Sequence, residues 1–455
     1  MCAGICSAAI AAASPFQYTV TVAQDLGSLD VHARFDHAVT ALSARAADAG
    51  NYLLDAESCD DGAALRHRGR RFVLPSSGIT CLRYRVDLAA VAKADRRNQG
   101  LSPANVIASP AVWLWRPSRT ADVAVRFDLP GAMRVAVPWL REPGSPDTYR
   151  IPRAPGSSTA AAVFGEFDYA ETDLPGATLR IAVTRTNQPS NVDALFDWVH
   201  AQASNVTLAY GRFPNPSPSV VVLAGEPSWS SDSPVRFGRV VRDGGESVEL
   251  FVNRDMPVSS YYDDWIATHE FSHMMLPYLQ SRHRWISEGF AQYYQNVLLA
   301  RAGQYTDERA WRELYAGFER GRNSRPELSP NGAARDRRGA TMKFYWSGAA
   351  LALIADVELR LRSGGEQSLD TVLGQLDSCC LPAADMWSGP QLFGKLDTFL
   401  DEPLFMPLYR QHANRTGFPD VRPLLDRLGV STRDGAFGIV DDAELADLRR
   451  AITGG

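Results

Sequence analysis

One pentapeptide constrains this chain more than any other feature: His269-Glu270-Phe271-Ser272-His273. On a helix, residues four apart share a face, so the two imidazoles can grip one metal ion. Glu270 then stands beside the ion, where it can take a proton from water. With eight histidines in the chain, a chance match is on the order of a 1% event. The segments downstream must therefore carry part of the argument.

The third ligand decides the subclass. A third histidine six residues after His273, with glycine at the third position, is one known arrangement; those positions are Leu279 and Leu276, so it fails here. His283 is a second candidate, but it sits between Arg282 and Arg284 and reads as a solvated loop residue. Glu288 lies in Trp285-Ile286-Ser287-Glu288-Gly289 and completes a His-His-Glu site with one position left for water. The expected cofactor is one Zn2+ held by His269, His273 and Glu288, with other divalent ions able to substitute in vitro. Glu270 is then the general base. Tyr345 is the candidate oxyanion donor, against the plainer reading of a core tyrosine. Gln292, one turn after Glu288, is a candidate for orienting a histidine ligand, and Tyr293 and Tyr294 read as packing.

Composition sets the outer limits. The 455 residues include 47 basic and 52 acidic side chains, net −5, which argues against a nucleic-acid partner. The basic runs at 66–71 and 335–338 read as solvated loops. No apolar run approaches the ~18 residues that span a bilayer. Residues 2–14 are small and apolar and end Ala11-Ala12-Ala13-Ser14-Pro15, like the h-region and cleavage site of a secretory signal, though without a basic n-region. The expectation is export, periplasmic or secreted, with a cytoplasmic location left open. Cys59 and Cys81 can then close a disulfide; Cys379 and Cys380 are adjacent and read as buried or separately paired. No C-x-x-C pair suggests a cysteine zinc site.

The chain reads as multidomain α+β. Residues 1–14 form the signal-like remnant. Residues 15–187 carry short β-branched runs between turns, an antiparallel β domain. Residues 188–363 are the expected catalytic domain. A helix over 191–203 precedes strands at 219–223, 237–241 and 247–252. The metal helix is expected over 260–276, opened by a Ser260-x-x-Asp263 capping box and stopped by Pro277. Further helices are expected over 287–303 and 340–362. Residues 364–455 form a helical C-terminal region. A strand pair just before the metal helix suits a substrate backbone added as a further strand.

Three segments together resemble the glycyl-aminopeptidase family of gluzincin metallopeptidases. They are His-Glu-Phe-Ser-His at 269–273, Trp-Ile-Ser-Glu-Gly-Phe-Ala-Gln-Tyr-Tyr at 285–294, and the stretch 344–373 with Asp356, Leu359, Arg360, Gly365, Ser368, Leu369 and Asp370. Ala108 to Pro117 and Val137-Pro138-Trp139 also look like that family's β domain. The resemblance implies a thermolysin-like zincin catalytic domain, zinc on His269, His273 and Glu288, Glu270 as base and Tyr345 as oxyanion donor. Tyr345-Trp346-Ser347-Gly348 departs from the family's Tyr-x-Lys-Gly. The Gly-Ala-Met-Glu-Asn motif that binds a substrate's amine in larger gluzincins is absent, although Glu246 and Glu249 lie in the right neighbourhood.

The resulting expectation is a zinc-dependent, aminopeptidase-like peptidase acting on peptides, with no transmembrane segment; the oligomeric state is not legible. The alternative is a catalytically idle, peptidase-like binding protein. A purely structural zinc site fits less well, because such sites favour four protein ligands, mostly Cys and His.

Overall fold

Phe16–Val22 alternates inward and outward side chains, and Phe16, Tyr18, Val20 and Val22 are all buried. That period of two makes a half-buried strand. A computed structural model describes residues 16–117, 122–152, 160–187, 190–223, 232–336, 338–433 and 436–454; the signal-like residues 1–14 lie outside them. In it, Phe16–Val22 is central to a seven-stranded sheet ordered Leu140–Glu142, Ser145–Ile151, Val123–Asp128, Phe16–Val22, Ser28–Val39, Ile79–Asp87, Leu53–Ser58. Neighbours are antiparallel except Phe16–Val22 and Val123–Asp128, which run parallel. Trp113 and Trp115 fill the core beneath it. Their carbonyls accept from the Tyr84 and Tyr18 hydroxyls at 2.9 and 2.8 Å.

A three-stranded sheet, Asn105–Ala108, Ala162–Gly165 and Arg134–Ala136, forms the middle layer. Alternation splits its side chains. Ala108, Val135 and Phe164 join the first core. Ile107, Ala136 and Val163 pack on Ala182, Val221 and Phe251 of the next sheet.

That next sheet has five strands, ordered Asp168–Leu174, Ala177–Val183, Ser219–Leu223, Glu246–Val252, Val235–Arg242. Ser219–Leu223 and Glu246–Val252 are buried on both faces, as covered parallel strands should be. The hairpin 168–183 was expected in the first domain, which ran to 187. It hydrogen-bonds here instead, with Leu179, Ile181 and Val183 packed among Leu195, Trp198 and Val199 of the helix Val192–Tyr210. Strand periodicity shows that a hairpin forms; it does not say which sheet the hairpin joins.

The expected metal helix is divided. A 3-10 turn covers Val258–Asp263, Asp264 is extended, and the helix proper is Ile266–Ser272, continuing as a 3-10 turn through Met275. The Ser260–Asp263 capping box does not form. The Ser260 hydroxyl donates to the Pro257 carbonyl at 2.7 Å, and the Asp264 carboxylate instead accepts from the Ile266 N–H at 2.8 Å. The other two helices are Arg284–Arg301 and Thr341–Ser363. The C-terminal region is helical with one small hairpin, Val430–Arg433 with Ala436–Ile439. Cys59 and Cys81 are disulfide-bonded. Cys379 and Cys380 are bonded to each other rather than buried or separately paired; Cys379 is exposed and Cys380 half-buried where their helix ends.

Candidate metal and catalytic site

The metal helix, Ile266–Ser272, lies between the edge strand Val235–Arg242 and the glutamate helix Arg284–Arg301. Its apolar side is fixed by Phe271 in the core. Its buried polar residue Thr268 donates to the Gln202 side chain at 2.7 Å and accepts from Asn205 at 3.0 Å, both on Val192–Tyr210. A buried, satisfied network of this kind holds a helix in one register. At the far end, the Arg242 guanidinium donates to the carbonyls of His273 and Leu276 at 2.9 and 3.2 Å. A cation there satisfies carbonyls that a helix end leaves free.

His269, His273 and Glu288 converge. Their ligand atoms lie within 4.8 Å of one another, and all three residues are buried. Glu288 Oε2 is 3.5 Å from His269 Nε2 and 3.2 Å from His273 Nε2. Each ring is turned by a partner on its other nitrogen: His269 Nδ1 meets Gln295 Oε1 at 2.8 Å, and His273 Nδ1 meets Ser287 Oγ at 3.0 Å. Both Nε2 atoms are thereby aimed at the common point, as metal-binding histidines require. Arg284 donates to the other Glu288 oxygen at 3.1 Å. Two imidazole nitrogens and one carboxylate oxygen, with no thiolate, form a donor set suited to a catalytic zinc ion. Gln292 lines the neighbouring cleft, and Gln295, one turn further on, takes the orienting role expected of it. His283 lies outside the cluster, packed against Tyr409.

The charges agree with this arrangement. Burial pushes the Glu288 carboxyl up, but His273 and His269 outweigh it and hold the group well below its ordinary range. Burial pushes the His269 imidazole down, and Glu288 and Glu270 reverse that to a net rise. Glu270 is raised by burial, against the pull of both histidines and of the Val240 N–H on the edge strand.

Glu270 faces a cleft of about 610 Å3 that is also lined by Trp265, His269 and Tyr345. Tyr345, on the tyrosine helix Thr341–Ser363, is half-buried with its ring centroid 6.3 Å from that of His269. Glu246 and Glu249 do not face the cleft. Glu246 pairs with Arg242 and Asn215. Glu249 is fully buried between Arg97 and Arg239.

Residues 277–347 match the family model of M61 glycyl aminopeptidases, a stretch that holds Glu288 and Tyr345. An aminopeptidase N family protein from Idiomarina loihiensis superposes with a TM-score of 0.64 at 14% identity, over 91% of this chain and 78% of that one. A Deinococcus radiodurans M1 zinc metallopeptidase, in a mutant form bound to a Tyr-Ser-Ala substrate, gives 0.52 at 15% identity, over 89% and 94%. The chain has the fold of these solved structures, and its segment 277–347 resembles the M61 glycyl aminopeptidase family. No curated protein gives a significant match. At such identities the solved structures speak for the fold alone.

Within this fold Asp356 and Asp370 of the segment 344–373 are scaffold. Asp356 accepts from the Tyr293 hydroxyl at 2.7 Å and Asp370 from the Tyr294 hydroxyl at 2.9 Å. Sequence reasoning missed Gln295, Ser287, Arg284 and Arg242. Gln295 stands seven residues after Glu288, two helical turns along one face, and that spacing was the available signal.

Proposed function

We propose that the protein is a zinc-dependent peptidase that hydrolyses peptide bonds with Glu270 as general base, in the manner of an aminopeptidase. The observation that carries this reading is the convergence of His269, His273 and Glu288 beside Glu270 in an open cleft.

His269, His273 and Glu288 would hold one zinc ion. When bound, such an ion supplies Lewis acidity, which acidifies water and polarises a carbonyl. The remaining work belongs to the chain. Glu270 takes the proton from the attacking water and delivers it to the departing amine. Its raised proton affinity suits both halves of that transfer. Tyr345 lines the same cleft and is the candidate donor to the oxyanion. The strand Val235–Arg242, last in its sheet among the described residues, borders the cleft through Phe237 and Gly238, where a peptide backbone could lie alongside it.

The idle binding-protein alternative has no observation in its favour, since each ligand and the base is present. Export remains a proposal from the signal-like residues 1–14; among the described residues no helix is long and apolar enough to cross a membrane. The test is digestion of a mixed peptide library by the purified protein, read by mass spectrometry. Stepwise loss of N-terminal residues, abolished by a chelator, supports the aminopeptidase reading. Internal cuts make it an endopeptidase. No cleavage by protein carrying one equivalent of zinc overturns the proposal in favour of a binding role.

A further inference from the structure

A second recess lies apart from the cleft, where the N-terminal sheets meet the hairpin that leaves the edge strand. Its volume is about 130 Å3. Among the described residues, four arginines line it, Arg45, Arg70, Arg71 and Arg116, against one carboxylate, Asp243. Two of the four come from the basic run expected to be a solvated loop. It folds instead into a small hairpin, Arg66–Arg68 with Arg71–Val73.

Backbone pairing gathers these arginines. The Ser43 N–H donates to the Arg116 carbonyl at 3.0 Å, the Ala44 N–H to the Arg70 carbonyl at 2.9 Å, and the Arg45 N–H to the Ala111 carbonyl at 3.0 Å. Ser43 also bridges to the Arg71 backbone. Three separate segments are thus pinned so that four guanidinium-bearing residues border one small space. Asp243 is buried and pairs with Arg45 at 2.7 Å. Its backbone is fixed too, since Trp139 Nε1 donates to the Asp243 carbonyl at 3.0 Å. Among the described lining residues the formal charge is thus positive, four cations to one carboxylate. Leu114 and Trp139 give the recess apolar walls, and such walls concentrate the field on an anion inside.

We propose that this recess binds an inorganic tetrahedral oxyanion, phosphate or sulfate, between Arg45, Arg70, Arg71 and Arg116. Guanidinium groups match such oxygens two at a time, and they remain charged at any physiological pH. The space suits an ion of that size and is too small for a peptide or a nucleotide, whose pockets run to roughly 300–1,000 Å3. No group of the metal site takes part, so the proposal stands or falls independently of the peptidase reading.

The experiment is calorimetric titration of the intact, metal-loaded protein with inorganic phosphate, then sulfate, against sodium chloride at matched ionic strength. The expected result is saturable binding of one equivalent of phosphate or sulfate and none of chloride. The double variant Arg70→Ala/Arg71→Ala removes two exposed side chains and should weaken binding at least tenfold, since a hydrogen bond to a charged group is worth about one such factor or more. Its melting temperature without phosphate should match that of the unaltered protein. If the double variant does not fold, Arg71→Ala alone serves. Phosphate heats no larger than those of chloride, or unchanged affinity in a folded variant, would overturn the proposal.

Discussion

Gly289 and Gly348 meet backbone to backbone. A Cβ at residue 289 would come within 2.2 Å of the Gly348 Cα, and one at 348 within 2.2 Å of the Trp285 carbonyl oxygen. The glutamate and tyrosine helices therefore cross at their closest where neither carries a side chain. Glu288 precedes one of these glycines and Tyr345 lies three residues before the other, so the same crossing sets the spacing between Glu288 and Tyr345. Gly289→Ala or Gly348→Ala must push the helices apart. Overpacking of this kind costs about 1–3 kcal/mol. Denaturant midpoints should fall accordingly in each variant, and an unchanged midpoint would contradict the contact.

Gln295 orients His269 from a second helix. Removing such a partner weakens metal affinity about 10–100-fold. Gln295→Ala should show that loss in competition against a chromogenic chelator. Ser287→Ala should weaken binding through His273 in the same way.

Gly238 on the edge strand lies against the base. A Cβ there would approach the Glu270 Cγ to 2.6 Å. Gly238→Ala should displace that carboxylate while leaving the zinc ligands in place. A displacement near 1 Å can cost on the order of 100-fold in rate. The expected outcome is a fall in kcat with retained metal, measured by steady-state kinetics and metal analysis on one preparation.

His283 carries a pH effect unconnected with the metal. Burial, with Arg282 adding to it, pushes its imidazole from 6.5 down to about 4. The folded protein keeps this ring neutral, while the unfolded chain protonates it below 6.5. Its contribution is present above that pH and is lost as pH falls toward 4, by up to ~1.4 kcal/mol per pH unit. Urea midpoints at pH 7 and pH 5 should fall further in the unaltered protein than in His283→Gln. Equal falls would remove this residue from the account.

The convergence of His269 and His273 was legible because a four-residue helical spacing is local, and that of Glu288 because its neighbours form a dense motif. Strands such as Phe16–Val22 and Ser219–Leu223 were legible for the same local reason. What escaped depends on chain crossings. Gln295 and Ser287 act on rings contributed by another helix. Gly289 opposes Gly348 across 59 positions of sequence. The hairpin 168–183 could equally have closed the first sheet. Arg70 and Arg71 read as solvent-facing charge until Ser43 and Asp243 were brought beside them. The break at Asp264 arises because its carboxylate also meets the Val235 N–H, at 3.4 Å on the edge strand, a contact invisible to a helical pattern.

The most direct measurement of the central claim pairs two readings on Glu270→Gln: zinc content and peptide hydrolysis. Glutamine keeps the shape of the side chain and cannot accept the water's proton. The account predicts about one zinc ion per chain, as in the unaltered protein, with turnover reduced by about 100-fold or more. Undiminished hydrolysis by the zinc-loaded variant would contradict it.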